Sequence, residues 1–252
     1  MIPSPAPTLL VLDFDGVICD SVDECFVASW EARFRLHSGT GPVPEPPGGQ
    51  AAAFAHLRPF VRNGEDFLVI LEAAGRGTAP ADQAGFDALA ATLPARDLAG
   101  FKARFYAARE RMLAEERPRW LGLNRIYPHA REALRTVVRA GVPLCILSTK
   151  RAPYILEILA AGGIELPPGD VHHTTGRKEP VVRELLDRSG CARAVFVDDQ
   201  VDFLADLDDP RIEGYLATWG YVRPEWLVPP LRARLLDATG LLALVTRLSG
   251  RA

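Results

Sequence analysis

Asp13 and Asp15 flank Phe14 directly behind a short apolar run, residues 8–12, and Gly16 follows them. Two carboxylates at i and i+2, at the exit of a buried strand, repel each other unless a cation lies near. An acidic turn, with Gly16 supplying its dihedral, would also account for that stretch taken alone. A second apolar run, 142–147, ends in Ser148-Thr149-Lys150, whose hydroxyls can donate to an oxyanion or cap the next helix. A third run, 194–197, ends in Asp198-Asp199, with Asp202 shortly after, and Lys178 stands about twenty residues upstream. Clustered carboxylates that stay ionised suit Mg²⁺, a hard cation that prefers oxygen ligands. A lysine and a hydroxyl beside them suit a phosphate. An acidic nucleophile, a metal and phosphate donors together describe phosphoryl transfer through an aspartyl-phosphate.

These groups work together only if one framework gathers them. The runs at 8–12, 142–147 and 194–197, and a weaker one at 214–218, are short and continuously apolar, as expected of strands buried on both faces of a parallel sheet. Helices with readable ends lie between them. Pro128 opens 129–139 before Gly141, Pro153 opens 154–161 before Gly162, and Pro180 opens 181–188 before Gly190. Strand alternating with helix predicts an α/β fold, a Rossmann-like doubly wound parallel sheet whose ligands bind at the carboxyl ends of its strands.

Residues 21–119 carry no strand signal and are expected to form an inserted, all-helical cap; residues 1–20 and 120–252 make the core. Within that block, Ser21-Val22-Asp23-Glu24 reads as a capping box before a helix bearing Phe26, Trp30 and Phe34. Asn63 is expected to cap a helix over 65–74, and 82–91 and 97–116 are helical. The Pro/Gly-rich stretch 38–50 is read as a loop, and 231–248 as an amphipathic C-terminal helix. Arg58 and Arg62, flanking the start of the 65–74 helix, are candidates to hold a second anionic group of a substrate.

The arrangement resembles the haloacid dehalogenase (HAD) superfamily, in its phosphoglycolate-phosphatase-like branch with a helical cap after motif one. The first motif is Asp13-Phe14-Asp15-Gly16-Val17, the second Ser148, the third Lys178, and the fourth Asp198-Asp199 with Asp202. The resemblance implies that Asp13 attacks phosphorus and that Asp15 protonates the leaving alkoxide and later deprotonates water. It implies that Ser148 and Lys178, with Thr149 adjoining, bind phosphate oxygens, as do backbone N–H groups after Asp13. Mg²⁺ would be held by Asp13, the Asp15 carbonyl and an acidic residue of motif four. Strand register favours Asp199 for that last place, whereas the interval to Asp202 fits Asp198; Asp199 is preferred. Gly16 and Asp202 are expected to support the site. Asp15 argues against dehalogenation, since dehalogenase relatives lack an aspartate there. A phosphomutase of the same fold and a catalytically retired phospho-ligand-binding protein are the alternatives.

Composition sets the remaining bounds. The chain has 252 residues, 48% hydrophobic, and a formal net charge of −3, unlike a protein held on nucleic acid by phosphate contacts. No apolar run approaches a membrane span, and the Pro-rich start does not read as a signal peptide, so a cytoplasmic monomer or homodimer is expected. Cys19, Cys25, Cys145 and Cys191 form no CxxC and read as small buried residues. The expected partner is a small phosphorylated metabolite, with neither nucleic acid nor membrane.

Overall fold

The structure is a computed structural model that describes residues 7–37, 40–228 and 233–250. The chain divides into two compact units, one of residues 1–20 and 126–252, the other of residues 21–125. The second boundary thus falls at Arg125 rather than at residue 119. The shift follows from a helix in the intervening segment whose Trp120 is fully buried and donates through Nε1 to Glu24 of the same unit.

In the first unit, β1 (Thr8–Leu12) leads to a short β2 (Cys19–Asp20), where the chain departs for the second unit. That unit contains α1 (Val22–His37), α2 (Gln50–Leu57), α3 (Asp66–Gly75), α4 (Gln83–Ala91), α5 (Ala95–Glu115) and α6 (Arg117–Gly122). The chain returns through β3 (Arg125–Ile126) and continues with α7 (Pro128–Ala140), β4 (Leu144–Ser148), α8 (Ala152–Ala161), β5 (Val171–His173) and α9 (Glu179–Ser189). It closes with β6 (Arg193–Asp198), α10 (Val201–Ala205), β7 (Ile212–Ala217), β8 (Arg234–Leu236) and α11 (Ala238–Leu248).

Six strands form one sheet in the order β5-β4-β1-β6-β7-β8, every neighbouring pair parallel. This is the doubly wound α/β architecture expected from the alternation of strands and helices. The chain runs from β1 outward through β4 and β5, then crosses back to β6 on the other flank of β1. That reversal opens a crevice at the carboxyl ends of β1, β4 and β6. Leu9, Leu10, Val11 and Leu12 are each at most 1% exposed, so β1 is apolar throughout because helices cover both of its faces. Leu9, Val11, Leu147, Val182, Leu186, Phe196 and Leu216 pack as one continuous core on one side of the sheet.

The expectation of a helix over 231–248 is corrected. Residues 231–232 lie outside the described residues, Arg234–Leu236 is the edge strand β8, and the helix begins only at Ala238, where the Asp237 side chain accepts from Gly240 N at 2.6 Å. A three-residue strand is too short to show alternation, and its leucines merged with the apolar pattern of the helix behind it. A second correction concerns the start of α3. Asp66, not Asn63, accepts the loop's N–H groups, from Arg62 N at 2.8 Å and Asn63 N at 3.0 Å. Both donate to the one oxygen Asp66 Oδ2, whose negative charge makes it a stronger acceptor than a neutral amide oxygen.

The helical unit is held by a chain of aromatic contacts, Phe26–Phe54, Phe54–Phe67 and Phe67–Phe105, with centroids 5.1 to 5.6 Å apart. Beside them lies a buried ion pair: Arg109 Nε and Nη2 donate to the two Glu24 carboxylate oxygens at 2.7 and 2.6 Å. Among the described residues, no helix is long and apolar enough to cross a membrane.

Candidate active site

Register alone brings the first groups together. Leu12 of β1 lies level with Val197 of β6 and with Ile146 of β4. One residue further on, Asp13 and Asp198 stand abreast on adjacent strands, and Asp13 N continues the ladder by donating to Val197 O at 2.9 Å. Two residues past Ile146, β4 ends in Ser148, which is 1% exposed. Neighbouring strands are only about 4.8 Å apart, so two carboxylates in this position need a positive partner between them.

Lys178 supplies it. This residue sits at the N-terminus of α9, and its Nζ lies 2.9 Å from Asp13 Oδ1 and 2.7 Å from Asp198 Oδ2. The lysine is 1% exposed. Burial works against its charge, yet Asp13 and Asp198 outweigh that effect and hold the ammonium above its ordinary value. Burial pushes the Asp198 carboxyl up to about 7, with Lys178 opposing and the charge of Asp13 adding to the rise.

The turn after β1 is built on Gly16. Its φ of +89° lets Gly16 N donate to Cys19 O at 2.8 Å while Ile18 N and Cys19 N both donate to Phe14 O. A side chain would not fit either, because a Cβ there would lie 1.8 Å from Asp199 Oδ2. Gly220 packs against the same aspartate and against Gly16: a Cβ there would meet Asp199 Cβ at 2.5 Å and Gly16 O at 2.6 Å. Asp199 Oδ2 accepts from Tyr221 N at 2.6 Å. Its carboxylate is therefore held in place by two closely approaching glycines and a backbone donor.

Asp13, Asp198 and Asp199 each offer an oxygen within 4.8 Å of the others, all three buried. Asp198 accepts from Lys178 on Oδ2 and from Gln200 N on Oδ1 at 2.8 Å. Asp15 adds a further carboxylate, paired with Lys150. The all-oxygen donor set fits a hard divalent cation such as Mg²⁺.

The other expected residues fall in different places. Thr149 is half-buried beside Ser148. Asp202 lies in the first turn of α10 and is not among the three converging carboxylates. Arg58 and Arg62 are engaged inside the helical unit. Arg58 is 8% exposed, donates to Val61 O at 3.3 Å and lies over the Phe67 ring, whereas the Arg62 guanidinium pairs with Asp87. Both arginines thus spend charge or donors on their own unit, and neither is kept in the functional proposal below.

Two features escaped the sequence reading. Lys150 is 2% exposed, and its Nζ lies 2.9 Å from Asp15 Oδ1. The segment Trp219-Gly220-Tyr221 ties the site's loops together. Trp219 Nε1 donates to Val17 O at 3.1 Å, and Tyr221 Oη contacts Asp20 Oδ1 at 3.0 Å. The signals available in sequence were a lysine two residues beyond a strand-end serine and an aromatic-Gly-aromatic step just after a strand.

No family model and no curated protein sequence matches the chain. Solved structures do match it. A predicted phosphoglycolate phosphatase from Haemophilus somnus 129PT aligns with a TM-score of 0.62 at 15% identity, over 94% of this chain and 97% of that one. A haloacid dehalogenase-like family hydrolase from Streptococcus pneumoniae aligns at 0.59 and 16% identity, over 94% and 98%. A HAD family hydrolase from Deinococcus radiodurans R1, with bound phosphate and sodium, aligns at 0.54 and 18% identity, over 97% of each chain. Across nearly its whole length, the chain has the fold of the haloacid dehalogenase-like hydrolases.

Proposed function

We propose that the chain is a Mg²⁺-dependent phosphatase that hydrolyses a small phosphomonoester through a phosphorylated Asp13. The observation that carries this reading is the Asp13 carboxylate at the strand's end, 2.9 Å from a buried lysine and within 4.8 Å of two further buried aspartates. The names of the structural neighbours, phosphatases and hydrolases, support the same reaction class.

In this reading an Asp13 oxygen attacks phosphorus and the bond to the ester oxygen breaks. Asp15 gives its proton to the departing alkoxide, then takes one from the water that attacks the phospho-aspartate. Lys178, Ser148 and the N–H groups after Asp13 hold the non-bridging oxygens, with Thr149 adjoining. Mg²⁺, when bound, neutralises charge between the carboxylates and the phosphoryl group. Asp13, the Asp15 carbonyl and Asp199 would hold it. Asp198 is assigned a supporting place because both of its oxygens already accept from Lys178 and Gln200.

The test is phosphate release from a panel of small phosphomonoesters, with Mg²⁺ and with EDTA. Release that requires Mg²⁺ supports the reading. Release unaffected by EDTA removes the metal from it, and no release from any member favours the retired phospho-ligand-binding alternative.

A further inference from the structure

We propose that Lys150 is a positioning residue for Asp15, holding its carboxylate where the leaving oxygen departs; the inference rests on the phosphatase reading above. The Lys150 side chain is 0% exposed, and its Nζ lies 2.9 Å from Asp15 Oδ1, whose side chain is 12% exposed. The ammonium also lies 5.7 Å from the centroid of Phe14, a residue with no exposure at all. A charge sunk this deep is expensive unless paired, and here a carboxylate of the site pairs it. The same residue reaches the second motif through its backbone, because Lys150 N donates to Ser148 Oγ at 3.3 Å.

The two buried lysines thus divide the work. Lys178 joins Asp13 to Asp198, and Lys150 joins Asp15 to the end of β4. Asp15 stands at the start of the Gly16 turn, where its side chain would otherwise sample several rotamers. A charge-assisted bond to one oxygen fixes the carboxyl group, and the other oxygen carries the proton that passes to the ester oxygen as the P–O bond breaks. Loss of the tether misplaces that proton by roughly an ångström, which in a well-oriented step is worth about 100-fold in rate. In the phosphoryl-transfer step the loss is confined to substrates whose leaving group needs a proton, whereas the later water-activating step slows for every substrate alike.

The experiment compares wild type, Lys150→Met, Lys150→Arg and Asp15→Asn, with Mg²⁺, on p-nitrophenyl phosphate and on the best alkyl phosphate of a panel. Lys150→Met is expected to lower kcat/KM, which reports the step that releases the alcohol, by about 100-fold on the alkyl phosphate and under about fivefold on p-nitrophenyl phosphate. Asp15→Asn should show the same leaving-group pattern in kcat/KM, and Lys150→Arg should recover part of the loss. A second readout needs no turnover: in metal-free protein, unfolding constants of the two single variants and the double variant should be non-additive by at least about fivefold. Equal losses of kcat/KM on both substrates, or additive unfolding constants, overturn the role of Lys150. A wild-type protein inactive on every ester overturns the phosphatase reading and this role with it.

Discussion

Gly220→Ala adds one methyl group against Asp199. The new Cβ would lie 2.5 Å from Asp199 Cβ, where ordinary contact begins near 3.4 Å, so the aspartate must retreat by about 0.9 Å. It has little room to do so. Gly16 lies against its carboxylate, and Tyr221 N holds Oδ2 at 2.6 Å. Overpacking of this kind costs about 1–3 kcal/mol of stability. Disturbing a group that orients a metal ligand typically weakens binding about 10- to 100-fold, or about 1.4 to 2.7 kcal/mol. Titration calorimetry with Mg²⁺ reads the second quantity, and a thermal melt of metal-free protein reads the first. The account expects weaker Mg²⁺ binding in a protein that still folds, with the midpoint lowered by several degrees. Wild-type affinity and an unchanged melt would refute the clamp on Asp199.

Other expectations follow from the same contacts. Arg109→Met removes the buried counter-charge of Glu24, whose side chain is 0% exposed, and should cost about 3–5 kcal/mol in urea unfolding; a loss under 1 kcal/mol would show that the pair contributes little. Burial holds the His129 imidazole below its ordinary value, and burial together with Arg188 does so for His172. The unfolded chain therefore takes up protons first, so stability present above about pH 6.5 declines as pH falls through that value. Substituting both histidines with glutamine should flatten this slope in urea midpoints taken from about pH 7.5 to 5.5, and an unchanged slope would contradict the assignment.

Much of the site was legible because parallel strands buried on both faces are uniform apolar runs, and the first polar residue after each run marks a strand's carboxyl end. Asp13, Ser148 and Asp198 were found by that rule, and register placed Asp13 abreast of Asp198 and one residue short of Ser148. Lys150 followed the same strand end but was given no role, since nothing local shows that a side chain turns inward to meet a carboxylate far away in sequence. The contacts of Trp219 and Tyr221 with Val17 and Asp20 likewise join segments about two hundred residues apart. The ambiguity between Asp198 and Asp199 also needed coordinates, because it turns on which oxygens Lys178, Gln200 and Tyr221 already occupy. For Arg58 and Arg62 the position at a helix start was visible, but Phe67 and Asp87, which engage them, were not.

The central claim is that Asp13 carries the phosphoryl group. Rapid acid quench during turnover, followed by peptide mapping, tests it most directly. The account predicts a hydroxylamine-labile phosphate on the peptide containing Asp13, absent in Asp13→Asn, whose turnover should fall by many orders of magnitude. Phosphate release by Asp13→Asn at more than about a percent of the wild-type rate, with no phosphorylated peptide in either protein, would contradict it.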